Sequence, residues 1–204
     1  MAKADNKTRR GGDQGGGQKT AFTLEQVQLV HSLLKAKGDV MQIALMQTAV
    51  CACLRAGDLL GLRVERVTIP SAHVSPHGGI VARLTLVQEK TRAPVTVSLT
   101  DDCRAALAAW ISAGNRQPNQ RVFPLGREQY ARIVKSWARM AHLDPRQFST
   151  HSMRRTQAVH LYQRTGNIKA VSTLLGHKNL AHTTEYLGVT VEDALRLKDE
   201  HRVL

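Results

Sequence analysis

Ser149-Thr150-His151-Ser152-Met153-Arg154-Arg155, then Leu174-Leu175-Gly176-His177, then Thr183-Thr184-Glu185-Tyr186: these three stretches decide how the chain is to be read. They set out His-x-x-Arg, Leu-Gly-His and a tyrosine nine residues beyond the second histidine. Ser149-Thr150 is a helix-capping pair, so His151 and Arg154 are expected three apart on one helical face. An arginine offers a planar fork that fits two phosphate oxygens at once. With two imidazoles and a phenol in company, the pattern suggests a site that grips a phosphate and attacks it. His-x-x-Arg on a basic helix also arises by accident, so the rest of the chain must supply the context.

The charge balance supplies part of it. Lys plus Arg number 29 and Asp plus Glu 16, a formal charge of +13. An excess of this size points to a polyanionic partner, without distinguishing DNA from RNA or from a merely basic surface. At 204 residues and 42% hydrophobic content, the chain is long enough for one well-buried core. No apolar run approaches a membrane span, and no apolar segment follows the basic N-terminus as a secretory signal requires. A cytoplasmic protein of a bacterium or of a bacterial mobile element is the expectation. Cys51, Cys53 and Cys103 form no even disulfide framework, and reduced core thiols are expected. His73 and His77 are separated by Pro76 within a Ser/Pro/Gly-rich loop, which disfavours a shared metal-binding helical face.

Residues 1–20 read as a separate unit. They are rich in Gly, carry Lys3, Lys7, Arg9, Arg10 and Lys19, and hold almost nothing apolar. Such a segment cannot offset its ordering entropy by burial, and it is expected to be a disordered basic leader. Lys7, Arg9 and Arg10 are candidate phosphate contacts, sequence-blind if they act at all. The folded domain is expected over 21–204. Thr23-Leu24-Glu25-Gln26 has a capping-box pattern, opening a helix with Leu24, Val27, Val30, Leu33 and Leu34 on one face. An almost wholly apolar helix from about Val40 to Leu54 is expected to be the buried centre. Gly57-Asp58 then interrupts, and a short helical turn runs to Leu62. From Val67 to Leu99 the β-branched and apolar residues bounded by Pro and Gly indicate a small antiparallel sheet of about three strands. Its last turn spans Gln88 to Pro94. After Asp101-Asp102, helices are expected over roughly 102–113, 127–141, 151–165, 167–175, 179–186 and 190–200. The fold class is mainly α with a small antiparallel β-sheet (α+β).

Arg55 gives the first motifs a companion. It stands in Cys53-Leu54-Arg55-Ala56-Gly57-Asp58-Leu59-Leu60-Gly61-Leu62, directly after the apolar helix, where an unpaired charge is costly to bury. Asp58 is expected to pair with it and orient the guanidinium while leaving donors free for a phosphate. Leu54 to Leu62 resembles the first box of the tyrosine recombinase (phage integrase) family, Leu-Arg-x-x-Glu/Asp-Leu-x-x-Leu. His151 and Arg154 match the family's His-x-x-Arg box, apart from Met153 where Leu is usual. His177 matches its Leu-Gly-His box, and Tyr186 stands where the nucleophile falls. Lys90, in the turn before an apolar strand, matches the family's lysine. The resemblance covers residues 23–200 in order.

What the resemblance implies is a tyrosine recombinase catalytic-domain fold and metal-free, nucleotide-free strand exchange. Tyr186 would attack a DNA phosphodiester, forming a 3′-phosphotyrosyl bond and releasing a 5′-hydroxyl. Arg55 and Arg154 would hold the phosphate, Lys90 would protonate the leaving oxygen, His151 would handle a proton near the nucleophile, and His177 would bond a non-bridging oxygen. Arg92 at the hairpin tip and Arg155 beside Arg154 are expected as DNA contacts rather than reacting groups. Most relatives carry an additional N-terminal helical domain that clamps DNA; this chain resembles the compact members without it. The implied partners are double-stranded DNA, further copies forming a homotetramer on DNA through the terminal helix near 190–200, and accessory DNA-bending proteins. Three other readings stay open: a relaxing topoisomerase of the same chemistry, a catalytically silent DNA-binding regulator on the same fold, and a basic RNA-binding protein.

Overall fold

The helix α2 (Val40–Ala52) is the axis around which the domain is assembled. Its apolar residues run nearly all round, and Ala44, Leu45, Met46, Thr48, Ala49 and Ala52 are buried. A helix without a polar face has to be covered on every side, and α1 (Leu24–Ala36), α5 (Asp101–Ala113) and α7 (Thr150–Thr165) pack against it. The structure is a computed structural model and describes residues 18–69, 79–177 and 179–188, with Leu195, Lys198 and Asp199. Lys7, Arg9 and Arg10, His73 and His77, and most of the expected terminal helix at 190–200 lie outside the described residues.

Local sequence signals set the helix starts. Thr23 and Gln26 exchange hydrogen bonds in a capping box at the head of α1. Only Val30 and Leu34 of the expected apolar face of α1 are buried, with Val27 packed against the core, while Leu24 and Leu33 are exposed. At about 100° per residue the first three cluster on one stripe and the other two fall on its flanks. Ser149 caps α7, as expected, and Thr100 rather than the aspartates after it caps α5. In α6 (Arg127–Met140), Tyr130, Val134, Trp137 and Ala138 form a stripe at helical spacing that enters the core. Trp137 Nε1 donates to Gln42 Oε1 at 2.7 Å, tying α6 to α2. α8 (Ile168–Leu175) and α9 (Leu180–Leu187) complete the C-terminal half.

The central helix stops earlier than its apolar run suggests. Cys53 takes up the left-handed conformation at φ 49°, and Arg55 is extended, before α3 (Ala56–Leu60) begins. The break therefore falls before Gly57, which lies inside α3 rather than ending the helix. A further turn of helix, α4 (Val64–Val67), and a 3-10 turn at Pro145–Gln147 were not foreseen in the sequence.

The expected three-stranded sheet is a two-stranded one among the described residues. β1 (Arg83–Val87) pairs antiparallel with β2 (Pro94–Ser98), with Leu84 opposite Val97 and Leu86 opposite Val95. The third stretch contributes only an isolated bridge between Thr68 and Ile80. Leu84, Val95 and Val97 face the core, leaving the connection between the strands at the far end of the hairpin.

Two apolar clusters lie among the described residues. The larger runs from Phe22 through α2, the hairpin and α6 to Met153. The smaller joins Cys53, Ala158, Val171 and Leu175, with Tyr162, Tyr186 and Leu187 packed on it. Cys51, Cys53 and Cys103 are all free, with Cys53 and Cys103 buried, as expected of core thiols. No helix among the described residues is long and apolar enough to cross a membrane.

Leu45→Ala is expected to cost about 2–5 kcal/mol, because this fully buried leucine has neighbours on every side of α2. Leu29→Ala, at a position 42% exposed, should stay within about 0.5 kcal/mol. Chemical denaturation midpoints compare the two directly.

Candidate active site

Arg154 occupies the seam between the two apolar clusters and is 2% exposed. Its guanidinium is held by main chain: Nη1 donates to the Cys53 carbonyl at 2.8 Å and Nη2 to the Leu175 carbonyl at 2.6 Å. The left-handed turn at Cys53 aims the first of these oxygens, and the end of α8 offers the second. Helix ends leave carbonyls without helical partners, and both bonds exploit that. No carboxylate among the described residues reaches ion-pair distance of Arg154. Burial, and next the nearby Arg55, lower its pKa from the ordinary arginine value.

Arg55 is the residue before α3, half-buried, and its Nη1 donates to Gln88 Oε1 at 2.6 Å. The expected Arg55–Asp58 ion pair is not formed. Asp58 Oδ1 instead accepts the Glu89 N–H at 2.8 Å, and its buried Oδ2 has no hydrogen-bond partner among the described residues. The physical reason is placement: Asp58 sits in the first turn of α3, facing the hairpin connection, where a backbone N–H needed an acceptor. Asp58 thus fastens the connection that carries Lys90, rather than the guanidinium.

That connection runs from Gln88 to Ala93 and is closed by Gln88 N–H to the Ala93 carbonyl at 2.9 Å and Arg92 N–H to the Gln88 carbonyl at 3.0 Å. Arg92 adopts φ 52° to close it, and both Lys90 and Arg92 are exposed. A cleft of about 690 Å³ opens beside it, lined among others by Arg55, Asp58, Lys90, His151 and Arg154. Arg127 and Glu89 meet at 3.2 Å on its rim. Gly57 lies under that pair, since a Cβ there would fall 2.4 Å from Glu89 Oε2.

The remaining groups come from α7, the turn after α8, and α9. His151 keeps an exposed edge at the cleft mouth. The walls that crowd the rest of its ring, then the charges of Arg154, Arg55 and Lys90, lower its pKa. His177 Nδ1 lies 3.0 Å from the fully buried Thr183 hydroxyl. Its ring stands edge-on to Tyr186, with centroids 5.6 Å apart. Burial, then Arg154, Arg55 and His182, pulls His177 down to about 4. Tyr186 is in the last turn of α9, and its hydroxyl donates a long 3.5 Å bond to the His151 carbonyl. Burial pushes its pKa up, with Arg154 and Arg155 pulling the other way.

Arg155 is used differently from the phosphate contact or solvated charge expected of it. It is 8% exposed, donates from Nη1 to the Lys19 carbonyl at 2.6 Å, and lies 5.5 Å over the Tyr186 ring. Gln18 Nε2 donates to the carbonyls of Glu185 and Tyr186 at 2.6 and 2.8 Å. Residues 18–20, assigned to the leader on composition, are therefore fastened across α7 and onto α9. Gln88 and Gln18 were both missed in the sequence. A buried amide in a turn and a polar strap on a helix end carry no periodicity to find them by.

A mostly helical domain with one hairpin, which brings Arg55, Lys90, His151 and Arg154 to one cleft and sets Tyr186 against the His151 carbonyl and His177 against Tyr186, defines the class. The model of the Phage integrase family matches residues 21–193, and the chain belongs to that family. It is 28% identical over 169 residues to a tyrosine recombinase of Pseudothermotoga lettingae, covering 81% of this chain and 54% of that protein. It is 30% identical over 172 residues to tyrosine recombinase XerD of Brucella suis, covering 79% of this chain and 52% of that one. The chain thus spans about half the length of the curated relatives it matches. Its fold superposes on the XerA recombinase at a TM-score of 0.68 with 15% identity, over 92% of this chain and 67% of that one. It superposes equally, at 0.68 and 19% identity, on the XerH site-specific recombinase bound to palindromic difH substrate in a post-cleavage complex, over 94% and 55% of the two chains.

His177 should titrate near 4 in the free protein, read from its ring carbon proton by NMR. Its folded pKa lies below the unfolded value of about 6.5, so the unfolded chain takes up the proton first on acidification. The associated stability is complete above about 6.5 and declines as pH falls toward 4. His177→Gln should flatten that part of the profile. A ring midpoint near 6.5 in the folded protein would contradict the burial described.

Proposed function

We propose that this chain is a site-specific DNA recombinase, cutting and rejoining strands through a 3′-phosphotyrosyl intermediate. The observation that carries the reading is the convergence of Arg55, Lys90, His151, Arg154, His177 and Tyr186, from five separate segments, on one cleft and its edge. A phosphodiester entering the cleft would bring its charge to Arg55 and Arg154, whose guanidinium forks match non-bridging oxygens. The anion would also favour the protonated imidazoles, opposing the lowering that burial and the neighbouring arginines produce.

In the cleavage step, the Tyr186 oxygen bonds to phosphorus as the P–O5′ bond breaks. The phenolic proton passes to water or to the neutral imidazole of His151, whose carbonyl already accepts from the hydroxyl. The departing 5′-oxygen takes a proton from the Lys90 ammonium at the hairpin tip. His177 donates to a non-bridging oxygen, its other nitrogen fixed by Thr183. Asp58 supports Lys90 through the Glu89 N–H. The phosphotyrosine conserves the energy of the broken bond, so attack by a new 5′-hydroxyl restores the strand without a nucleotide cofactor. Exchange between two DNA segments implies a homotetramer assembled on DNA, in the bacterial cytoplasm, with DNA-bending helpers where site geometry demands them. Arg92, exposed beside Lys90, is the candidate backbone contact.

A nicked duplex carrying the sequence that the protein selects from a random pool should yield an SDS-resistant protein–DNA adduct. Tyr186→Phe should abolish it. Lys90→Ala should slow it by about 10²–10⁴, and a 5′-bridging phosphorothiolate, whose leaving group needs no proton, should restore the rate. Tight binding with no adduct from wild type would instead establish a DNA-binding regulator. Arg154→Ala should lose cleavage by at least about 10² and keep most binding; equal loss of both would make Arg154 a binding residue only.

A further inference from the structure

Gln88 is 1% exposed in a hairpin connection whose next two residues are exposed. Its side chain is committed to three elements at once. Oε1 accepts from Arg55 Nη1 at 2.6 Å and from the Thr91 hydroxyl at 2.7 Å. Nε2 donates to the Leu175 carbonyl at 3.4 Å, the same oxygen that takes Arg154 Nη2 at 2.6 Å. Gly176 closes the packing: it stands at φ +64°, and a Cβ there would come within 3.2 Å of Gln88 Nε2. The main chain of Gln88 closes the connection through Ala93 and Arg92.

The chain of bonds therefore runs from Arg55 through the Gln88 amide to Leu175 and Arg154, with a branch through Thr91 to the connection holding Lys90. Arg55 has no carboxylate among the described residues at ion-pair distance to fix its guanidinium. A neutral acceptor is suited to that task. It orients the fork without neutralising the charge that a phosphate must meet, whereas a carboxylate would cancel it.

We propose that Gln88 is a positioning residue that sets Arg55 against Arg154 and holds the Lys90 connection in register with both. It couples the grip on the phosphate to protonation of the leaving oxygen. This rests on the recombinase reading for its chemical consequence, though not for its geometry.

The test compares Gln88→Met, which keeps length and removes every polar contact, with Gln88→Glu, which keeps the acceptor and adds a charge. Single-turnover cleavage of the nicked duplex should fall about 100-fold in Gln88→Met, with duplex affinity within about threefold of wild type. The 5′-bridging phosphorothiolate should recover part of that loss, between the full recovery expected of Lys90→Ala and the absence of recovery expected of Arg55→Ala. Gln88→Glu should fold as wild type yet remain slow, because its carboxylate neutralises Arg55. Independently of cleavage, the Arg55 Nε–Hε NMR signal should show hindered guanidinium rotation in wild type and averaging in Gln88→Met. Wild-type cleavage rates in both variants would overturn the proposal, as would a loss of binding that matched the loss of rate. If wild type forms no adduct while the Arg55 signal still responds to Gln88→Met, the recombinase reading fails and the positioning role stands. An unresponsive signal overturns the positioning role whatever the enzyme does.

Discussion

A guanidinium taken almost wholly out of water, in a chain of net charge +13, is the constraint on which this structure turns. Burying an uncompensated charge costs several kcal/mol. No carboxylate among the described residues reaches ion-pair distance of Arg154; two backbone carbonyls offset the cost in part, each charge-assisted bond contributing about 1.5–3 kcal/mol. For those oxygens to be free, α2 has to end in a left-handed residue and α8 has to end where it does. The break after Ala52, the extended Arg55 and the glycine at 176 are all consequences of the same requirement. The positive charge that those bonds leave uncompensated faces the cleft, beside Arg55 and Lys90.

Much of this is legible in the sequence alone. Capping residues such as Thr23 and Ser149, the unbroken apolar run of α2 and the change of period near Val81 are local signals, and they placed most of the helices and the hairpin. The positions of the six candidate reacting residues were legible for a different reason: they sit inside short motifs whose order is itself distinctive. Their meeting around one cleft could only be inferred from that order.

The rest was not written locally. Asp58 lies three residues from Arg55 and reads as its ion-pair partner, yet the hairpin arrives from elsewhere in the chain and claims the carboxylate. Gln88 reads as a polar turn residue until the ends of α3 and α8 close over it. Arg155 reads as surface charge until residues 18–20 cross it. In each case the deciding partner is more than 30 residues distant, and nothing in a side chain announces which distant backbone will reach it.

The seat of Arg154 has a further consequence, for how such a chain can drift. The hydrogen bonds that hold the guanidinium end on carbonyl oxygens of positions 53 and 175, and every amino acid supplies a carbonyl. The side chains there answer to packing in the smaller apolar cluster and, at position 53, to a left-handed backbone that disfavours β-branched residues. Within those limits lineages can exchange them while the arginine stays fixed. The anchorage is inherited as a shape of the main chain, and it leaves no letter in the sequence by which to trace it.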